Sequence, residues 1–308
     1  MKPSIKKYCF LAVSACIFLS GCSGVQQKQE ASSGAGDTVK KDGSLPLDPN
    51  RAALVKINNK LFNVPSPLQL AELLKKMNLP YSKELLNDVN NRQNYTTSFK
   101  QALNTGIYGA DLGYINVYEQ LPDAAAYFGV IRTLTSELGI LNSFSEETMK
   151  RIERNSADKD SLLHIASLIY RESDSYLMNS DRNETGALII AGGWVEGLYL
   201  MTHAKNGAPG EELKELIGQQ KRPLNNLIEL LRPYYGKVNV NYDSFLENLS
   251  DIANIFDEID IKYTYKPSKT DEANKLTIIN SETKAVLDQS HIAVITQKIE
   301  KLRNEIIK

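Results

Sequence analysis

The sequence predicts a mostly α-helical protein: a multi-helix bundle or a short α-array of helical hairpins, with a small β-hairpin near the C-terminus. Three observations carry that expectation. From Ser66 onward apolar side chains recur at intervals of three and four residues, the spacing of one helix face. The interval drops to two only around Ile261, Tyr263 and Tyr265, which alternate with Lys262, Thr264 and Lys266. Finally, the chain has three cysteines, Cys9, Cys16 and Cys22, and none beyond them, so packed apolar faces must hold the body together without disulfides.

The first segment is a leader. Lys2, Lys6 and Lys7 precede an apolar run from Tyr8 to Leu19, then Leu19-Ser20-Gly21-Cys22. A basic start, about a dozen apolar residues and a small-residue cleavage site make a secretory signal over residues 1–21, too short to span a bilayer as a mature helix. The last four residues resemble the lipobox of bacterial lipoproteins. That resemblance implies cleavage before Cys22, acylation of its thiol (palmitate among the chains) and attachment to a lipid bilayer. Removing the three leader lysines from 36 basic residues leaves 33 against 37 acidic ones, a formal charge of −4. Such a chain lacks the concentrated positive charge of a nucleic-acid binder, and the acyl chains must supply the membrane attachment.

Residues 22–50 are polar, rich in Ser, Gly and Gln, and have almost nothing apolar to bury; they read as an acylated N-terminus and flexible tether. At random-coil scaling this stretch reaches about 30 Å. A single helical domain is expected over residues 51–308. It opens with a short hairpin across Asn58-Asn59, and Pro67, after Ser66, occupies a first helical position. A long helix follows around Asn94 to Gln120. Pro122 and Asp123 start another with the stripe Tyr127, Ile131, Leu134 and Leu138, ended by Gly139. Ser145 caps a short helix, Asp158 or Asp160 opens one through Tyr170, and Asn183 caps an apolar helix to Thr202. The helix from Glu211 to Leu231 is split or kinked by Pro223. Phe245, Leu249, Ile252, Phe256 and Ile259 mark the next. After the hairpin formed by residues 261–265 and Leu276-Thr277-Ile278-Ile279, a final helix carries the near-heptad seam Ile292, Ile295, Ile299, Leu302 and Ile306, which is expected to dock on the body. An internal echo relates Ser66-Pro-Leu-Gln-Leu-Ala-Glu-Leu-Leu to Ser161-Leu-Leu-His-Ile-Ala-Ser-Leu-Ile, each followed by a glycine-bearing helix.

Those two helices hold the candidate site. Glycine inside a helix costs about 1 kcal/mol relative to alanine, so Gly109/Gly113 and Gly193/Gly197, each four apart, predict close helix–helix approach. Asp111 lies among Tyr108, Tyr114 and Tyr118; Glu196 lies among Trp194, Tyr199 and His203. Two readings stay open. The carboxylates with Tyr114, Tyr118, Trp194, Tyr199 and His203 could line a ligand or cation pocket, with acid–base work by the pair as a third use. Alternatively each carboxylate accepts hydrogen bonds that lock the helices in register. Three histidines without His-x-x-x-His spacing argue against a zinc hydrolase, and neither a nucleophile elbow, a phosphate loop nor a dinucleotide fingerprint occurs; no metal or cofactor is expected.

Gly109-Ala-Asp-Leu-Gly-Tyr114 and Gly192-Gly-Trp-Val-Glu-Gly-Leu-Tyr199, together with the lipobox, resemble helical lipoproteins of Bacteroidetes-type bacteria that carry no established activity. The resemblance covers about Pro65 to Leu200. It implies a cell-envelope location, with Ser23 after the cysteine fitting the outer membrane and the lack of an acidic cluster in the tether fitting its periplasmic side. A non-enzymatic binding or assembly module with an envelope protein partner is the expectation; a periplasmic small-ligand or cation binder is the alternative, a hydrolase the third.

Overall fold

Apolar stripes need partners, and the computed structural model shows which ones they find. It describes residues 53–57, 60–64, 67–141, 150, 182–204, 210–271, 276–278 and 281–308. The helices expected at Ser145 and from Asp158 to Tyr170, the second half of the internal echo at Ser161, Cys22 and the tether lie outside those residues.

Strands β1 (Ala53–Ile57) and β2 (Lys60–Val64) form an antiparallel hairpin whose paired ends, Ile57 and Lys60, leave two residues between them. Helix α1 (Pro67–Lys76) begins at the expected proline and stops where Asn78 takes a positive φ of 56°, a conformation asparagine tolerates. Two 3-10 turns, Lys83–Leu85 and Val89–Asn94, then lead to α2 (Ser98–Val117), capped by Thr97, whose hydroxyl accepts from the Lys100 N–H. Helix α3 (Leu121–Glu137) ends at Gly139, which has φ of +73°.

Helix α4 spans Asn183–His203. Its N-cap is Arg182 rather than the expected Asn183. The arginine caps nothing of its own helix; instead its Nη1 donates to the Leu138 carbonyl at 2.8 Å, tying α4 to the end of α3. Beyond it come α5 (Glu211–Gly218), α6 (Lys221–Leu231) and α7 (Val240–Asp257), the last capped by Asn239. The predicted interruption is real. The break falls at Gln219 and Gln220, and Pro223 sits in the first turn of α6, where a missing N–H loses no bond.

The C-terminal hairpin exists with a different pairing. Strand β3 (Asp260–Thr264) pairs with β6 (Glu282–Val286), while β4 (Lys269–Asp271) pairs with β5 (Leu276–Ile278). The residues 261–265 therefore do not face Leu276 and Ile278. What sets the register is the root: Ala285 and Leu287 fill the space that Gly218 of α5 leaves open, so β6 is the strand held on the body. Helix α8 (Gln289–Ile307) follows, with a capping box between Asp288 and His291. Its seam of Ile292, Ile295, Ile299, Leu302 and Ile306 is buried, as its spacing requires.

Helices α2 and α4 form the centre. Sixteen of the 21 residues of α4 and 14 of the 20 of α2 are buried, so neither has a solvent face. They pack on each other, with α1, α3 and α8 around them and α7 outside α8; β2 lies beside α6. Close approach is made by glycine, at positions shifted from those the spacing suggested. A Cβ on Gly192 would overlap the Leu103 carbonyl, and one on Gly106 would overlap the Ile189 carbonyl and come within 2.6 Å of the Gly193 nitrogen. Gly197 instead receives Leu70 of α1, whereas Gly109 is only half-buried.

Candidate functional site

The crossing of α2 and α4 carries Asp111 and Glu196 inward, and both are 0% exposed. A charge so placed needs a partner, and Glu196 has one: Arg303 of α8 donates from Nε to Oε2 at 2.7 Å and from Nη2 to Oε1 at 2.8 Å. The same Nη2 reaches the Leu85 carbonyl at 2.9 Å, and the guanidinium lies 4.1 Å over the Tyr199 ring. Burial works against the charge on Arg303, but Glu196 more than restores it and holds the group above its ordinary range.

Asp111 is treated differently. Its Oδ2 accepts from the Asn87 N–H at 3.1 Å, while Oδ1 receives no donor among the described residues. Burial first, and the Glu196 carboxylate second, push Asp111 well above the usual aspartate range; Arg303 and the Asn87 N–H offset only part of this.

A buried polar string continues from Asn87. Its amide donates to Tyr95 Oη at 3.0 Å and to Asn104 Oδ1 at 3.4 Å. Asn104 donates to the Ile306 carbonyl at 3.1 Å and Tyr95 Oη to the Ile307 carbonyl at 3.3 Å, satisfying the otherwise orphaned end of α8. Together with Arg303, these contacts fasten α8 to α2.

The predicted site residues fall into two groups. Asp111, Glu196, Tyr199 and His203 come together: the Tyr199 ring sits between Arg303 and His203, whose centroid is 4.1 Å from it, and His203 Nε2 lies 3.7 Å from Glu300. Tyr114 and Tyr118 do not join them. They stack with Tyr81 and donate to the carbonyls of Pro80 and Leu79, as Tyr108 donates to that of Asp88. Two phenols of α2 and the one at its C-cap, Tyr118, thus clamp the mostly irregular stretch between α1 and α2. Burial raises the pKa of all three, so they act as neutral hydroxyls. Trp194, two residues from Glu196 and so off its face, is a core side chain at 2% exposure. Both oxygens of Glu196 that a ligand would need are already taken by Arg303.

Sequence reasoning missed Arg303, Asn87, Asn104 and Tyr95. Only the first left a sign: Arg303 follows Leu302 within the i, i+3, i+4, i+7 stripe that starts at Ile299, where a charged side chain must find a buried partner.

Because folded Asp111 keeps a proton that the unfolded chain releases near its ordinary value of 3.8, stability falls as pH rises from about 4 through the raised folded value. Asp111→Asn keeps an acceptor for the Asn87 N–H and cannot ionise. The variant should therefore match or exceed wild-type stability and lose this part of the slope. Urea midpoints of the two proteins from pH 4 to 9 check it; parallel curves would show an ionised Asp111.

Among the described residues no group of three His, Cys, Asp or Glu side chains could hold a metal ion, and no helix is long and apolar enough to cross a membrane. Comparison with protein families, with curated proteins and with solved structures finds no match.

Proposed function

We propose that the chain is a lipid-anchored module of the cell envelope that works by binding an envelope protein, not by catalysis. The observation that carries the second half of this reading is the Asp111–Glu196–Arg303 cluster. Asp111 and Glu196, the carboxyls that the sequence offers for acid–base chemistry, are wholly buried, and Glu196 is already bonded through both oxygens. A substrate or cation there would have to displace an arginine that also holds α8. These groups are spent on assembly, which leaves recognition to the surface.

Leu19-Ser20-Gly21-Cys22 supports the anchor. Acylation at Cys22 followed by a polar stretch would hold the helical body about 30 Å from the bilayer, at the outer membrane if Ser23 acts as a sorting signal and on its periplasmic side for want of an acidic cluster in the tether. Labelled palmitate should enter the wild-type chain, and Cys22→Ser should abolish labelling and move the protein out of the membrane fraction. Unlabelled wild type, or a serine variant that fractionates unchanged, removes the anchor. Crosslinking in cells that joins the anchored chain to no specific envelope protein removes the binding role.

A further inference from the structure

The apolar alternation of β3 outruns the surface on which it could pack. Ile261 and Tyr263 share one face of the strand, and that face is covered only at its root, where Ala285, the partner of Ile261, lies against Gly218. Every residue from Ile261 to Thr270 is exposed. Ile261 is 41% exposed, Tyr263 64% and Tyr265, next in the row, 72%. A two-stranded ribbon with its apolar face open is marginal in water, so folding alone gives no reason for large apolar side chains there. The ribbon is also long. Five residues of one strand and four of the other separate the pair Thr264–Glu282 from the pair Lys269–Ile278, a one-residue bulge. Ser281 bridges it, its hydroxyl accepting from the Lys266 N–H and donating to the Lys266 carbonyl, both at 3.2 Å. Strands β4 and β5 thereby continue β3 and β6, and from Asp260 to Asp271 the arm reaches about 35 Å.

Size decides what this face can take. At about 200 Å² for a whole tyrosine and somewhat less for isoleucine, the three side chains together expose roughly 350 Å². That is under half of the roughly 800 Å² per partner that a stable protein interface buries, so a second copy or an envelope protein seated there is held only weakly. A bilayer needs no complementary surface. Tyrosine rings settle at the headgroup level with the ring in the apolar boundary and the hydroxyl in water, and the long stems of Lys262, Lys266 and Lys269 let their ammonium groups reach lipid phosphates. The chain brings the bilayer within range as well. Cys22, the lipobox cysteine, lies about thirty residues ahead of β1, a stretch whose random-coil reach of about 30 Å is within the length of the arm. A contact too weak to hold a free protein then becomes effectively intramolecular.

We infer that the ribbon is a bilayer-docking arm: Ile261, Tyr263 and Tyr265 enter the headgroup layer and, as a second contact beside the anchor, orient the body at the membrane. From Asp260 to Val286 the sequence has five lysines and four acids, so the attachment comes from the apolar and aromatic side chains and depends little on anionic lipid. The inference rests on the membrane location of the proposed function. Its test replaces the acyl anchor with an artificial one, so that palmitate labelling and arm docking can fail separately.

The full chain with Cys22→Ser and an N-terminal hexahistidine tag is held on phosphatidylcholine vesicles through a nickel-chelating lipid, which fixes it at the surface whether or not cells acylate it. Tyr265→Trp reports on the arm. Val240→Trp, at a site 75% exposed in α7, is the control, and the buried Trp194 adds the same background to both. On the vesicles the emission of Tyr265→Trp should shift to the blue and be quenched by lipids brominated high on their acyl chains, while Val240→Trp stays unchanged. Adding Ile261→Ala and Tyr263→Ala should reduce the quenching of Tyr265→Trp at least threefold, with circular dichroism and unfolding midpoint unaltered. An unquenched Tyr265→Trp, equal quenching of Val240→Trp, or quenching indifferent to the two alanines would overturn the proposal. So would a dimer in sedimentation velocity that Tyr263→Ala dissolves, since that result gives the face to a second copy.

Discussion

Arg303→Met is expected to lower the free energy of unfolding by about 3–5 kcal/mol, the usual cost of removing one partner from a buried ion pair. The mechanism is specific. Methionine fills part of the space, but Glu196, at 0% exposure, loses both of its donors. The Leu85 carbonyl loses a donor as well, and the Tyr199 ring loses the cation above it. Lysine should rescue little, because an ammonium cannot reproduce the two parallel bonds of the guanidinium. Neutralising the stranded acid should rescue more. Glu196→Gln in the Arg303→Met background removes the buried carboxylate, so the double variant should be more stable than Arg303→Met alone. Denaturant unfolding of the four proteins closes a double-mutant cycle. A small loss for Arg303→Met, or a double variant less stable than both singles, would mean that the cluster does not hold α8.

How legible this was in the sequence depends on the distance over which each feature is decided. Helix starts and stops are local: Pro67 and Gly139 act within one turn of themselves. The apolar seam of α8 is legible for the same reason, since its period needs no knowledge of the partner. The hairpin after α7 is present with another pairing, because alternation identifies a strand without identifying its neighbour; β6, which pairs with β3, is the strand whose Ala285 and Leu287 lie against Gly218. The site was half legible. Two carboxylates on glycine-bearing, apolar helices are expected to be partly buried if those helices are central, and both are 0% exposed. Arg303 is 107 residues from Glu196 along the chain, and no local pattern could assign it to one acid, to the other or to neither. Glycine gave the crossing but missed its centre, because Gly106 stands outside the four-residue pairs that drew attention to Gly109 and Gly113.

That centre makes Gly192→Ala the other substitution with a large expected effect. Taken alone, replacing a helical glycine with alanine stabilises by about 1 kcal/mol. Gly129, in α3 with open space around it, should show that gain. At Gly192 the added methyl would overlap the Leu103 carbonyl oxygen, a backbone atom inside α2 that no rotamer change can move. Relief requires the two central helices to separate, which loosens contacts along α2 and α4 and shifts Asp111 relative to Glu196. Overpacking that displaces backbone costs about 1–3 kcal/mol and occasionally more; with the two buried helices of the core forced apart, a net loss of about 3 kcal/mol is expected. Gly106→Ala meets the Ile189 carbonyl from the other side of the same crossing and should behave alike. The two should not add, because once the helices have parted for one methyl the second finds room. Urea midpoints of Gly192→Ala, Gly106→Ala, their combination and Gly129→Ala decide it: a stabilised Gly192→Ala, or fully additive losses, would show that α2 and α4 do not cross at these glycines.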